Sequence, residues 1–397
     1  MIIKPKIRSN VFTNCHPLGQ EQFILNLIAE AKKQKPIGSK KNVLIIGGSS
    51  GYGLASRIAL AFGMNANTIN VSFESGPKGK RTGTAGYWNN IFFQKHTKNY
   101  PQTHKDFNGD AFSKAMKNDV IDYIKTHFGK LDLIIYSLAS GARKDETTGG
   151  LVRSAIKTIG TPAKGHTIEL AKEEVTPLNV EAASSEEIKN TVFVMGGSDW
   201  QTWLENLSQN DCLNDGVKTI SYTYIGGETT DAIYRNGTIG QAKEDLEKTA
   251  GKLNQLLKEK HHGEALISSS KAVVTKASVF IPQMPIYVAC LFDVMMEKGI
   301  HESILAHKYR LFKDMVYGTK AIKDDDGFLR VDHREMQSDV QHTTKTLMEA
   351  YTNDKIFTLK GTKAMLDDFY HMNGFGFSNI DYDQPVDMDA LQQLKLN

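Results

Sequence analysis

Lys41 to Leu54 reads KNVLIIGGSSGYGL, with its glycines at Gly47-x-x-x-Gly51-x-Gly53. An apolar run that opens into glycines and then takes up a helical period is the strand–turn–helix of a dinucleotide-binding sheet. Gly47 allows a tight turn at positive φ, Gly51 lets backbone approach a pyrophosphate, and Gly53 lets helix and strand close up. With Gly48, Ser49, Ser50 and Tyr52, they present the unpaired amides of a helix start to phosphate oxygens. A glycine cluster after an apolar strand can also be a plain turn, so the chemistry rests on residues further along the chain. Glu74 closes the second apolar strand, where a carboxylate accepts an adenosine ribose 2′-hydroxyl and repels a 2′-phosphate, favouring NADH. A solvated strand-end carboxylate is the alternative, and Lys78, Lys80 and Arg81 could serve NADPH. Asp110 could bond an adenine amino group or simply cap a helix starting at Ala111. Ser137-Leu138-Ala139-Ser140 are small residues past which a nicotinamide ribose could lie.

A second group is Tyr234 to Lys243, YRNGTIGQAK. With the glycine pattern it resembles the short-chain dehydrogenase/reductases, which pair a tyrosine acid with a lysine on one helix, at offsets of four or, in enoyl reductases, seven. Those offsets return to nearly the same helix face, within roughly 40°, whereas nine lands on the opposite face. Tyr234 and Lys243 can therefore meet only if the chain between them is not one helix. Gly237 and Gly240 supply the break, and Thr238 could cap a helix beginning near Ile239.

The chain as a whole resembles the FabV-type trans-2-enoyl-CoA and enoyl-[acyl-carrier-protein] reductases. The resemblance runs from the leader MIIKPKIRSN through YSLAS (136–140) and YRNGTIGQAK to the NGFGF stretch near the C-terminus. It implies NADH-dependent reduction of enoyl thioesters to saturated acyl thioesters, the last step of the fatty acid elongation cycle. It implies a cofactor site lined by residues 48–53, Phe73, Glu74, Asp110, Ala111, Leu138, Ala139, Lys243, Ala272, Val273, Val274 and Thr275. Tyr234 would be the proton donor and Tyr224 would lie against substrate. A phenol near the thioester oxygen can stabilise an enolate and supply a proton. The lysine would hold the ribose hydroxyls and lower a nearby tyrosine pKa below ~10.

These residues need a scaffold, and the rhythm of apolar runs predicts an α/β, doubly wound parallel sheet. Strands are expected at 43–46, 67–73, 104–107, 131–136 and 217–224, and from 265 toward 275. Helices are expected at 20–34, 54–61, 87–95, 111–128, 192–207 and 241–258. We read 1–397 as one Rossmann-type unit: an extension over 1–40, a cofactor-binding core over 41–275, and an acyl-pocket and C-terminal extension over 276–397. Within the core, 141–187 is an insertion with a hairpin near 166–178 that covers the site or decorates the surface. Ile281 to Met296 either walls an acyl tunnel or is an ordinary buried helix, with Phe375 and Phe377 as weaker pocket candidates.

Composition excludes other classes. Over 397 residues, a net charge of +3 is too small to argue for nucleic acid. The 3 cysteines are scattered, so neither a zinc site nor a disulfide framework is expected, and a cytoplasmic setting fits. His261-His262 reads as a structural loop pair, so no metal is expected. The leader lacks a signal-peptide core, and 279–296 is too interrupted to span a bilayer. The terminal extensions could cover surfaces through which smaller relatives associate, consistent with a monomer. Two readings compete with enoyl reduction. One is a ketoacyl reductase using the same Tyr/Lys pair with Ser137 or Ser140. The other is a cofactor-binding regulator without catalysis.

Overall fold

The computed structural model describes every residue except Ala139, Thr352 and Asn397, and all side chains but those of these three, Asn353 and Asp354. Seven strands form one parallel sheet: β1 (Asn42–Ile46), β2 (Asn67–Ser72), β3 (His104–Asn108), β4 (Leu131–Tyr136), β5 (Leu213–Thr223), β6 (Glu264–Ser269) and β7 (Leu329–Arg330). Their spatial order is β7-β6-β5-β4-β1-β2-β3. The order reverses beside β1, and ligands bind at such a crevice, outside the carboxyl ends of the strands. Ile46 lies opposite both Val71 of β2 and Tyr136 of β4, so the glycine turn after it opens at that edge.

The main helices are α1 (Pro17–Lys32), α2 (Gly51–Gly63), α3 (Ala85–Thr97), α4 (Lys114–Tyr123), α5 (Ser185–Met195), α6 (Ser198–Gln209), α7 (Thr238–His261), α8 (Met284–Glu297), α9 (Ile304–Arg310) and α10 (Ser338–Ala350). Val43 and Ile45 pack toward α1, α2, α3 and α9, while Leu44 and Ile46 pack toward α4, α6 and α7. All four side chains are fully buried, which is why this strand reads as an unbroken apolar run. A third apolar cluster joins α8, α10, the helix Lys360–His371, the hairpin of Ala163–Glu169 with Glu174–Val180, and Tyr234.

Several boundaries differ from expectation for local reasons. The expected helix 111–128 starts at Lys114 because Ser113 caps it through the Met116 amide, and it continues from Ile124 to Phe128 as a π turn. The expected helix 192–207 is two helices broken at Gly196-Gly197, where a β-carbon would strike Asp245 and Thr249. β6 ends at Ser269 and leaves 270–275 irregular. Elements not expected from the sequence include the edge strand β7 and short hairpins of Ile7–Arg8 with Val11–Phe12 and of Ala142–Lys144 with Leu151–Arg153.

Candidate active site

The glycine turn has the geometry its spacing predicts. Gly47 adopts φ +93°, and a β-carbon there would come within 2.4 Å of the Ser137 carbonyl oxygen. A β-carbon on Gly53 would lie 2.0 Å from the Gly47 oxygen, so helix and turn touch backbone to backbone. Gly51, at φ +54°, faces Thr275, whose Cγ2 would stand 3.3 Å from an added β-carbon. Ser50 precedes α2 without a side-chain cap, so the first-turn amides are left to a ligand. Beneath the turn, the Gly48 amide donates to Asn70 Oδ1 (2.8 Å) and Asn89 Nδ2 donates to the Ser49 carbonyl (2.9 Å). Asn70 Nδ2 in turn donates to Asp106 (2.8 Å), which is paired bidentately with buried Arg57 at 2.7 and 3.0 Å. Sequence reasoning missed this support. Its signal was Asn70 midway along an otherwise buried strand, where a polar side chain needs a partner.

Glu74 follows β2 with both carboxylate oxygens engaged: Ser49 Oγ donates to one (2.6 Å) and Thr84 Oγ1 to the other (2.5 Å). It is half-buried and tied to the glycine turn through Ser49, unlike a solvated strand end. Asn108 brackets it, accepting from the Glu74 amide and donating to its carbonyl. Phe73 beside it is 80% exposed, a large ring left against solvent. Asp110 accepts from the Phe112 amide (2.9 Å), so it caps the turn before α4 and not a helix starting at Ala111, which is buried. Leu138 is half-buried after β4, and Ala139 lies outside the described residues.

Residues 270–275 cross the open end of the sheet opposite the glycine turn, and their backbone is clamped from several sides. Ser270 N–H donates to Thr223 O (2.9 Å), Lys271 N–H to His307 Nε2 (3.3 Å) and Ala272 N–H to Glu335 Oε2 (2.6 Å). The Tyr52 hydroxyl donates to the Lys271 carbonyl, and Ser278 Oγ donates to that of Val273 (2.7 Å).

Tyr234 lies in the turn before α7, and Lys243 in the second turn of that helix, as the glycine break requires. Gly240 packs on the carbonyls of Tyr234 and Arg235, leaving no room for a side chain. Thr238 does not cap α7. Gly237 is the N-cap residue, and the Thr238 hydroxyl instead donates to the Ala155 carbonyl (2.5 Å), tying α7 to the inserted 141–187 segment. The Tyr234 ring meets that of Tyr224 edge-on, centroids 4.5 Å apart. The Tyr224 hydroxyl donates to Glu335 (2.8 Å), while that of Tyr234 has no hydrogen-bond partner among the described residues. Lys243 Nζ donates to the Tyr222 carbonyl (3.2 Å), so both members of the pair converge on the end of β5 without bonding each other. The expected lowering of the Tyr234 pKa by Lys243 is not found. Burial and the nearby Glu335 carboxylate push this phenol well above its ordinary range, and burial lowers Lys243 to about 8.

Ser140, a candidate partner in carbonyl reduction, donates its hydroxyl to Ala142 O (2.6 Å) in its own loop. Beyond Thr275, a small cavity of about 10 Å³ is lined by Val274, Ser278, Met284, Pro285, Val288 and Met365, among others. It has room for about one water. α8 thus lines this cavity at its N-terminal end, while Ile286 and Phe292 are buried without touching it. Phe375 and Phe377 belong elsewhere: Phe375 stacks on Phe12 and Phe377 on His371. Gly374, in the same stretch, packs so closely on Gly19 that a β-carbon on Gly19 would overlap its carbonyl. Among the described residues no cluster could hold a metal ion, and no helix is long and apolar enough to cross a membrane.

Family models match almost the whole chain: "NAD(P)H binding domain of trans-2-enoyl-CoA reductase" over residues 2–79 and "Trans-2-enoyl-CoA reductase catalytic region" over 81–317. This chain belongs to the trans-2-enoyl-CoA reductase family. The trans-2-enoyl-CoA reductase [NADH] of Clostridium beijerinckii is 44% identical over 397 residues, covering 100% of both chains. The enoyl-[acyl-carrier-protein] reductase [NADH] 2 of Photobacterium profundum is 43% identical, covering 99% of this chain and 100% of that one. The crystal structure of the Clostridium acetobutylicum reductase in complex with NADH superposes with a TM-score of 0.97 over 100% of both chains, at 44% identity. The family's Rossmann-like parallel sheet is therefore the fold of this chain. A third model, "Enoyl reductase FAD binding domain", matches residues 323–386. The residues present there do not fit a flavin. They supply β7 and helices whose Val340, Met365 and Phe369 pack against α8, and the glycines at 374 and 376 pack on α1 and His371.

Proposed function

We propose that this chain reduces the trans-2 double bond of enoyl thioesters, carried on CoA or acyl carrier protein, with NADH as reductant. One continuous line of contacts carries the reading. Gly51 faces Thr275, the same irregular segment is held at Ala272 by Glu335, Glu335 holds Tyr224, and Tyr224 abuts Tyr234. Residues 47–53, Phe73, Glu74, Asp110, Ala111, Leu138, Lys243 and 272–275 would hold the dinucleotide, and the glycine cradle fits one because the first turn of α2 has no side-chain cap and a β-carbon on Gly47 or Gly53 would strike the backbone behind it. When bound, NADH supplies the hydride that adds to the β-carbon.

The protein's task is then to meet the negative charge that gathers on the thioester oxygen. The Tyr234 hydroxyl, without a hydrogen-bond partner among the described residues, can donate to that oxygen as it gains charge and supply the proton that ends on the α-carbon of the saturated thioester. A phenol whose ionisation is suppressed by burial stays protonated until such charge arrives, as an acid must. Lys243 has three donors, of which one meets Tyr222, leaving two for ribose hydroxyls. Tyr224 would form the wall against substrate. Carbonyl reduction has less support, since the Ser140 hydroxyl is taken by its own loop.

We take 1–397 as a single working unit, its two terminal segments bound to each other. Met1 and Val386 exchange backbone hydrogen bonds, and His16 N–H donates to Asn373 O. Three buried free thiols suit a reducing cytoplasm. The test is NADH oxidation with crotonyl-CoA, a long-chain enoyl-CoA, an enoyl carrier protein and acetoacetyl-CoA side by side. Turnover of the enoyl thioesters is expected, and reduction of acetoacetyl-CoA alone would overturn the proposal.

A further inference from the structure

Glu335 follows the short turn Val331–Arg334 and is fully buried. Its carboxyl gathers three donors from three separate elements. The hydroxyls of Tyr224, just past β5, and Tyr287, on α8, both donate to Oε1 at 2.8 and 2.7 Å. The Ala272 amide, from the segment facing the glycine turn, donates to Oε2 at 2.6 Å. Gln341 of α10 closes the arrangement, donating to the Tyr287 oxygen and to the Glu335 carbonyl at 2.9 Å each.

The surroundings make a purely structural carboxyl a poor choice. Buried Asp106, Asp199 and Glu302 each pair with a cation: Arg57, Lys117 and Arg310. Glu335 makes no ion pair among the described residues. The nearby cation, Lys271, donates instead to the Ala272 carbonyl (3.4 Å) and lies over the Phe292 ring. Asp332, its neighbour in sequence, is neutralised by Arg330. Tyr52 and Tyr234 complete the titratable groups around it. An unpaired buried carboxylate is costly, and here it stands where it touches both sides of the proposed site.

We propose that Glu335 is a positioning residue of the active site, holding Tyr224 against Tyr234 while fixing the Ala272 backbone that faces the cofactor cradle. This rests on the reading of Tyr234 as the acid. The ionised carboxylate accepts all three donors. Protonation removes the charge that strengthens all three hydrogen bonds and sets an O–H among groups that are themselves donating, so the arrangement loosens on the acid side. Burial raises this carboxyl to about 7, which brings the transition into the working range.

The experiment is the pH profile of kcat with crotonyl-CoA for wild type, Glu335→Gln, Tyr287→Phe and Tyr234→Phe, each with its thermal midpoint. Wild type should lose kcat below about pH 7. Glu335→Gln offers one acceptor atom where the carboxylate offers two, so kcat should fall roughly 10- to 100-fold, the cost of a misplaced group. The acid limb should vanish with it. Tyr287→Phe removes a donor that favours the ionised form, so its acid limb should move to higher pH. That variant keeps the idea testable should Glu335→Gln fail to fold. Glu335→Gln with wild-type kcat and an intact limb would overturn the proposal, as would a Tyr287→Phe limb that stays in place. If Tyr234→Phe keeps kcat while Glu335→Gln loses it, the acid assignment fails and the role of Glu335 in holding Tyr224 stands.

Discussion

Asn70 accepts a hydrogen bond from the Gly48 amide at 2.8 Å, so the turn over the proposed cofactor cradle hangs from a polar group inside the sheet. Asn70 is itself held by Asp106, and Asp106 by Arg57, all three fully or nearly buried. Asp106→Ala leaves the Arg57 guanidinium buried without its carboxylate. Urea unfolding should show a loss of about 3–5 kcal/mol, and NADH affinity measured by fluorescence titration should drop as the turn loosens. An Asp106→Ala protein with unchanged stability would mean water replaces the pair.

Glu74 is the residue proposed to set the cofactor preference. NADH should be used with a higher kcat/KM than NADPH, because a 2′-phosphate would meet a carboxylate. Glu74→Ser should narrow the difference mainly by improving NADPH. Equal or better use of NADPH by the wild type would contradict the assignment and bring Lys78, Lys80 or Arg81 forward.

Much of this was legible in the sequence, for physical reasons that can be named. β1 and β4 are buried on both faces and read as apolar runs, and the glycines at 47 and 53 stand where a β-carbon cannot. Gly237 and Gly240 marked the break that separates Tyr234 from α7. The support for these residues was not legible, because it is built from pairs distant in sequence. Glu335 meets Tyr224 across 111 positions and Asn70 meets Asp106 across 36. The expected effect of Lys243 on Tyr234 failed for the same reason. Burial and Glu335 set that phenol, and neither is visible from local spacing.

If the small cavity beyond Thr275 opens into the acyl pocket, chain-length preference should respond at the residues that line it. Val288→Ala or Met365→Ala should shift preference toward longer enoyl chains by roughly 10-fold in kcat/KM, the scale of a methylene-sized contact. Phe292→Ala should instead cost about 3–5 kcal/mol of stability, with chain-length preference unchanged. A chain-length profile that moves with Phe292 and not with Val288 would put the tunnel deeper along α8.

Lys243 should give the enzyme a basic limb. Its ammonium is present below about 8 and lost above it, so NADH affinity should weaken as pH rises through that value. Lys243→Met should weaken NADH binding at every pH and flatten this limb. A limb that survives the substitution would have to come from another group.

Delivery of the proton by Tyr234 is decided by the kinetics of Tyr234→Phe. The change removes a hydroxyl that acts once charge has reached the thioester oxygen, so the loss should fall on kcat while the Kd for NADH stays nearly unchanged. A positioned acid is worth about 10²–10⁴-fold in rate. Single-turnover and steady-state rates with crotonyl-CoA should both fall by that order. A Tyr234→Phe enzyme with near wild-type kcat would refute this role and move the acid to Tyr224.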